Sequence, residues 1–472
     1  MNTGKKSMFT TEDGQNLVFT FILVSSLFLL WGFCNGMIDV MDKHFQEELG
    51  LTKSQSAWVQ FAHYLGYFLM AIPAGWLAVK LGYKGGIIVG LLIVALGGFW
   101  FIPATRIHQM VKEGLVSPTT AFVMFLIGVC VIATGLTFLE TIANPYTTVL
   151  GDKRYAATRI NLAQSCNGIG WIFGPIVGSM FFYSKDAMGN STGSQTLYIP
   201  YAGVAVAVVF IAIIFYFANV PDIKTKDDYH LEDSSAAASR SIWSHPHFTL
   251  AVVAQFLYVA AQAGIFSFFI NYMTAEVPPI PSSWDAAMNK LSANAGLLRD
   301  WLQGWFETGN NGILVISNKG ASNLASLGFV CFLIGRFSGA AILKKYSAHK
   351  VLGLYGLMNV LMTFVVFCKL GWISVACVFL SYFFMSIMFP TIFALGIFGL
   401  GARAKKASAF IVMAIMGGAL LPKLMGHVAD VYDMSRGFIV PMFCFAFVAY
   451  YGFNWSKFSK AESLNGVKLT GH

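Results

Sequence analysis

The sequence predicts an all-α integral membrane protein of twelve transmembrane helices arranged in two six-helix halves. Hydrophobic residues make up 56% of the 472 and charged residues only 11%, whereas a soluble chain usually carries about a quarter charged residues. Apolar stretches of roughly 20 residues, the length that crosses a bilayer, recur along the whole chain. They divide evenly about one charged segment, PDIKTKDDYHLEDSSAAASRSIWSHP (221–246).

The elements follow in chain order. Residues 1–16, MNTGKKSMFTTEDGQN, form a polar tail. The apolar run from Leu17 is too long for the core of a signal peptide, and no small-residue cleavage site follows it. It is therefore expected to stay as the first span. Spans are predicted at 17–41, 57–79, 85–103, 119–150, 157–182 and 197–220, making the N-terminal half (17–220). Residues 221–246 are charged and Ser/Ala-rich and read as a cytoplasmic linker. The C-terminal half (247–456) has spans at 247–274, 322–343, 348–370, 372–401, 407–428 and 436–456, before a tail at 457–472. Its long outer loop, 275–321, contains AGLLRDWLQGWF. At helical spacing Leu297, Leu298, Trp301, Leu302, Trp305 and Phe306 share a face, which predicts an amphipathic helix lying on the membrane. The seven cysteines fall in apolar stretches without metal-type spacing and read as free packing residues.

Orientation follows from Lys and Arg. With the N-terminus cytoplasmic, nineteen of the 31 lie in inner loops and tails or at the span edges beside them, ten lie likewise outside, and Arg336 and Lys423 lie deep within spans. The excess belongs on the cytoplasmic side, so both termini are expected there. The net charge of +9 is thus a topology signal, and no nucleic-acid partner is expected.

The halves repeat one another. FLETIANPYTTVLG (138–151) lines up without gaps on FFMSIMFPTIFALG (383–396), with Phe, Pro and the closing Leu-Gly in register. PAGWLAVKLGYKGG (73–86) matches FSGAAILKKYSAHK (337–350) more loosely. Six-helix halves in parallel repeat are the plan of the major facilitator transporters, which hold substrate between the halves near midplane.

Polar residues inside the spans are the candidate chemistry. Glu140 lies about ten residues from the inner end of the fourth span, with no Lys or Arg within ten residues on either side. Intramembrane carboxylates usually face a water-filled cavity or a partner, and Arg336 or Lys423 would be the partner in a purely structural reading. Asp39 is the second acid. Asp42, Lys43 and His44 suggest that the membrane edge is near it, so residue counting alone leaves it equally interfacial or cavity-facing. Asn35 precedes it on the same span. The second span offers Gln60 and Tyr64 one turn apart, with His63 beside them, and Asn144 follows Glu140 by one turn. Gln164 and Asn167 sit on the fifth span and Gln262 on the seventh. Acids and amides bind hydroxyls, and aromatic rings stack on the apolar face of a sugar. The same amides could instead join helices to one another.

Soluble-enzyme signatures are missing: the sequence has no P-loop, dinucleotide glycine fingerprint, HExxH or nucleophile elbow. Gly170-x-x-x-Gly174-Pro175-x-x-Gly178 resembles a motif of proton-coupled drug antiporters, but its physical content is close helix approach and a kink.

The stretches LFLLWGFCNGMIDV, QFAHYLGYFLMAIPAGWL, LETIANPYTTVLG, RINLAQSCNGIG, AQFLYVAAQ, FLIGRFSG, SAHKVL, FMSIMFPTIFALGI and SAFIVMAIMGGALLP resemble the fucose–proton symporter family of the major facilitator superfamily. The likeness runs from about residue 20 to 455, failing over 183–200, the linker and the outer loop. It implies proton-driven sugar uptake, with Asp39 and Glu140 as the acidic, proton-coupling pair of the central cavity and Gln164 and Asn167 on the sugar site. Two departures bear on the substrate. Gly36 and Ile38 stand where the family is richer in amides, and Met388-Phe389 where it has Gln-Tyr. A less polar wall suits glucose, galactose or an N-acetylated hexose as well as L-fucose.

The expectation is a monomeric symporter whose partners are a sugar and the lipid bilayer, with no cofactor, coupled to protons with sodium as the alternative ion. An antiporter exporting a drug or metabolite and a transport-dead sugar receptor are the rival readings. The expected sugar wall is Asn35, Asp39, Gln60, Tyr64, Glu140, Asn144, Gln164, Asn167, Gln262 and Phe389.

Overall fold

The computed structural model describes residues 8–10, 15–151, 156–183, 193–221, 241–293, 299–309, 312–343, 346–398, 400 and 404–459. Most of the linker and both ends of the chain lie outside these residues. Helix α1 (Val18–Leu49) stops at Gly50, whose left-handed backbone (φ 65°) ends the helix where a side chain would be strained. A one-turn helix α2 (Lys53–Ser56) follows, opened by a capping box between Thr52 and Gln55. α3 (Trp58–Lys112) is two spans joined at Gly82, whose φ of 69° breaks the helix. α4 (Pro118–Val149) starts with Pro118 in its first turn and the Ser117 hydroxyl accepting the Thr120 N–H at 3.2 Å. α5 (Ala156–Phe181), the short α6 (Gly193–Thr196) and α7 (Tyr198–Phe217) complete the first group.

The second group begins with α8 (Pro246–Ser267) and its continuation α9 (Phe269–Ala275). Between it and the next span stand α10 (Ser282–Ala293), α11 (Arg299–Leu302) and an antiparallel hairpin, β1 (Phe306–Thr308) with β2 (Leu314–Ile316). Then come α12 (Asn318–Leu343), α13 (Ala348–Phe367), α14 (Trp372–Met385) and α15 (Met388–Ile397). The chain ends with α16 (Ala404–Met413), α17 (Gly417–Val431), α18 (Met434–Gly437) and α19 (Ile439–Ser459).

Ten helical stretches among the described residues are long and apolar enough to cross a membrane. The part of α3 before Gly82 and α5 supply the other two of the predicted twelve. Both carry polar side chains, Gln60 and His63 on one and Arg159, Gln164 and Asn167 on the other, which dilute their apolar character.

Two expectations fail in informative ways. The amphipathic helix read from AGLLRDWLQGWF is only one turn, Arg299–Leu302. Gly304 takes φ 75°, and Phe306 already belongs to β1. Leu297 and Leu298 fall outside the described residues. The first helix also runs past the predicted bound of 41: α1 continues to Leu49, and the Asp42 and His44 side chains are buried in protein, Asp42 completely.

Helices of the first group pack α3 against α4 and α7, and α1 against α5. The α1–α5 contact is backbone on backbone. A Cβ added to Gly174 would stand 2.6 Å from the Gly36 Cα, and one on Gly36 would stand 2.9 Å from the Trp171 carbonyl oxygen. Without a solvophobic force between helices in lipid, such close approach supplies the contact. The glycine-proline motif of α5 is thus a packing surface. In the second group α13 packs on α19 and α14, and α8 on α19, α17 and α15. The groups meet where α5 lies along α12, and where α17 crosses α2 and α3. There the Ser179 hydroxyl donates to Asn323 Oδ1 at 2.7 Å, and the Ser322 hydroxyl to the Pro175 carbonyl at 2.7 Å.

Candidate functional site

The acids come first, because they are the costliest residues to hold in a bilayer. Asp39 is buried on α1, and its Oδ1 accepts a hydrogen bond from Gln60 Nε2 on α3 at 3.0 Å. Its Oδ2 has no hydrogen-bond partner, and neither has Asn35 Oδ1 one turn earlier. Gln60 is itself buried, so the pair satisfies part of each residue's demand away from water.

Glu140 on α4 lines a narrow crevice with Leu27, Phe28, Trp31, Leu139 and Ala143. The crevice holds about 10 Å³, room for one water molecule at most. Trp31 forms one wall, and its indole N–H donates to the Tyr67 hydroxyl at 2.6 Å. Tyr64 lies within electrostatic reach of both Asp39 and Glu140. Its ring packs on Gly418 of α17, where an added Cβ would collide with it. The first group thereby touches the second at the site.

The structural pairing considered for Glu140 does not form. The Arg336 guanidinium lies over the Phe332 ring at 5.1 Å and its Nε is unpartnered, while the Lys423 ammonium lies over Trp58 at 3.9 Å. Among the described residues no salt bridge reaches Glu140 or Asp39.

The other predicted wall residues divide. Gln164 and Gln262 are half-buried on α5 and α8. Asn167 donates from Nδ2 to the Phe28 carbonyl at 3.2 Å, which ties α5 to α1. Phe389 is half-buried on α15, its ring 6.4 Å from that of Tyr258. Asn144 is part of α4, but its side chain lies outside the described residues.

Sequence reading missed several groups. Asp42 lies one turn beyond Asp39, entirely buried. Tyr258 donates its hydroxyl to the Met385 carbonyl at 2.9 Å, and the buried Tyr382 stacks on Phe266 with ring centroids 4.6 Å apart. The spacing of Asp42 from Asp39 was the available signal, overruled by the charged residues that follow it.

The end of the bundle opposite the N-terminus is closed across the two groups. Asp430 of α17 binds the start of α2, Gln46 of α1 pairs with Asn271 of α9, and Asn318 of α12 donates to Glu47 of α1. Beside this closure the Lys369 ammonium sits 3.2 Å from Glu276 and 3.0 Å from Asp433. A larger cavity of about 420 Å³ lies under the outer loop, lined by Trp284, Trp305, Trp372 and other apolar side chains. Its lining includes no titratable group and neither of the acids.

A bundle of twelve spans in two groups, with two acids inside the spans and no salt bridge to either among the described residues, is the framework of a membrane transporter rather than an enzyme. The comparisons agree: residues 20–287 match the Major Facilitator Superfamily. The L-fucose-proton symporter of Escherichia coli (strain K12) is 31% identical over 454 residues, covering 92% of this chain and 93% of that protein. The glucose/galactose transporter of Brucella abortus is 30% identical over 449 residues, covering 95% and 96%. The crystal structure of the transporter FucP in the outward conformation superposes with a TM-score of 0.62 at 31% identity, covering 93% of this chain and 99% of FucP. A D-xylose-proton symporter shares the fold, with a TM-score of 0.66 at 12% identity. The chain belongs to the major facilitator superfamily, and within it to the family of the L-fucose-proton symporter.

Proposed function

We propose that this multi-pass membrane protein imports a monosaccharide together with a proton. The observation that carries this reading is the pair of acids within the spans, Asp39 buried and Glu140 half-buried, both within electrostatic reach of Tyr64 and neither in a salt bridge among the described residues. Burial in a dry cavity disfavours the charged form of an acid, so such a group can take up and release a proton in each cycle. The relatives' names add support, one transporting L-fucose with protons and one glucose or galactose.

In this reading both termini and the linker 221–246 face the cytoplasm, and the halves 17–220 and 247–456 rock about the site as a monomer. Asn35, Gln60, Asn144, Gln164, Asn167 and Gln262 offer donors and acceptors to sugar hydroxyls, while Tyr64 and Phe389 offer rings. Each proton moved inward across 100 mV delivers about 2.3 kcal/mol, which sustains roughly a 50-fold sugar gradient.

The test is uptake into proteoliposomes of labelled L-fucose, glucose, galactose and N-acetylglucosamine, with and without an imposed pH gradient. Concentrative uptake of one or more that collapses with the gradient supports the reading. Concentration driven by sodium alone replaces the coupling ion, and sugar binding without uptake in any condition defeats the reading.

A further inference from the structure

The Asp42 carboxyl is enclosed by protein, and neither of its oxygens completes a hydrogen bond of normal geometry. A buried carboxylate without donors is a rare arrangement, and it calls for a ligand or a proton. Asp39 lies one helical turn away and leaves its own Oδ2 unpartnered. From the second group, Ser267 at the end of α8 faces Asp42 with a fully buried hydroxyl that also lacks a partner. Gln60 approaches the same carboxyl from α3. Three helices therefore bring oxygen atoms together in one dry place, with one amide to serve them.

The other titratable groups facing this pair are phenols and an imidazole. Tyr64 and Tyr382 act on Asp39 from α3 and α14, and Tyr183, just beyond α5, acts on Asp42. The Tyr183 hydroxyl is committed to the Val40 carbonyl at 2.8 Å. His44 on α1 packs its ring against Phe182 and Tyr183. Lys43 on the same helix pairs with Glu47 at 3.3 Å. Among the described residues no salt bridge reaches Asp39 or Asp42.

We propose that Asp42 is a further proton-binding carboxyl beside Asp39 and Glu140, sharing its proton with Asp39 and loaded whenever the end of the bundle opposite the N-terminus closes. Two ionised carboxylates one turn apart repel and cannot both persist out of water. One proton, taken from solvent while that end is open, bonds to a carboxyl oxygen of Asp42 and turns an acceptor into a donor. The proton can then be shared with Asp39 Oδ2, or stay on Asp42 and be donated as a hydrogen bond to the Ser267 hydroxyl, which lies across the closing junction. When the end nearer the N-terminus opens in its turn, the carboxyl is hydrated from that side and the proton leaves there, so one proton crosses the membrane in each cycle. Closure is thereby tied to proton loading at a place separate from Glu140. The proposal rests on the proton-coupled reading above.

The test is proton uptake per sugar, measured in proteoliposomes as external alkalinisation divided by labelled sugar entry. With two proton-binding places in the cycle, Asp42→Asn is expected to lower that ratio to about half while sugar counterflow persists. Should Asp42→Asn fail to give monodisperse protein, Ser267→Ala decides, because it removes the facing hydroxyl without touching an acid. It is expected to move the pH at which counterflow is half-maximal. An unchanged ratio in Asp42→Asn, or an unchanged midpoint in Ser267→Ala, overturns the role of Asp42 and leaves symport standing. Wild-type sugar entry without any alkalinisation overturns symport and this proposal together.

Discussion

Asp430 of α17 holds Lys53 of α2 twice over. The carboxylate accepts the Lys53 backbone N–H at 3.0 Å and the Ser54 N–H at 2.8 Å, and the Lys53 ammonium stands 3.6 Å away. A carboxylate from one group of helices thus satisfies the free N–H groups at the start of a helix in the other, a favourable match of charge and dipole.

Asp430→Ala is therefore expected to shift the balance toward the state open at that end. Hydrogen bonds to a charged group contribute about 1.5–3 kcal/mol, and partial exposure reduces this to about 1–2 kcal/mol, or roughly tenfold in population. Spin labels at Leu115 and Tyr432, both exposed at that end, would report a longer mean separation. An unchanged distance distribution would mean that the closure does not depend on this cap.

Glu140→Gln is expected to abolish accumulation while leaving exchange. The amide has nearly the shape of the protonated acid and still offers a donor and an acceptor, so the variant mimics the loaded carrier. Counterflow of labelled sugar should persist within several-fold of wild type. The roughly 50-fold gradient supported by 100 mV should vanish. Concentrative uptake by this variant would remove Glu140 from the coupling step.

Phe389→Tyr is expected to change the ranking of sugars more than thermal stability. The side chain is half-buried on α15, and the substitution adds a hydroxyl to the proposed sugar wall. Sites that pair with a substrate hydroxyl discriminate sharply against analogues lacking it. The same panel of labelled sugars, run side by side with wild type, reads the effect.

The cluster of Lys369, Glu276 and Asp433, outside the spans, predicts a pH window for stability. Burial alone would push Asp433 up, but the Arg436 backbone N–H and the Lys369 ammonium outweigh it and hold the carboxyl below its usual range. Burial likewise pulls Lys369 down, and the two carboxylates outweigh that and raise it. A depressed acid gives stability that is present above its unfolded pKa and lost as pH falls through the folded one. A raised lysine gives stability present below its unfolded pKa and lost as pH rises through the folded value. The melting temperature in detergent should therefore fall at both the acid and the alkaline extremes. Asp433→Asn should flatten the acid limb and cost about 1 kcal/mol or less at neutral pH, since the cluster is partly exposed.

Gly174→Ala is expected to destabilise by about 1–3 kcal/mol, because its Cβ would meet the Gly36 backbone at 2.6 Å. Gly203→Ala, with nothing within 4 Å of the added carbon, should be near neutral and serves as the control. Melting curves of the two proteins in one detergent provide the comparison.

The spans were legible because length and apolarity are what a bilayer demands, and nothing local competes with them. Glu140 was legible for the same reason, since a lone acid in an apolar stretch has no cheap explanation. Asp42 was not: Lys43 and His44 beside it mimic a helix end, and only packing against α8 and α5 reveals that α1 continues for two more turns inside protein. The closure by Asp430 was equally hidden, because it joins residues more than 370 positions apart. The outer loop misled through its heptad-like pattern of Leu and Trp, which a positive φ at Gly304 interrupts.

The contact of Gly36 with Gly174 leaves no compressible side chain between the α1 and α5 backbones over the stretch that carries Asp39, Gln164 and Asn167. Those helices behave as one beam, stiff in bending and without slack in shear. A tilt begun where Asp430 releases α2 is then expected to reach Asp39, Gln164 and Asn167 together, as along a lever. The beam's stiffness sets how far the sugar wall is displaced for a given opening of the far end, and the price of that precision is a surface on which almost any added carbon would jam the stroke.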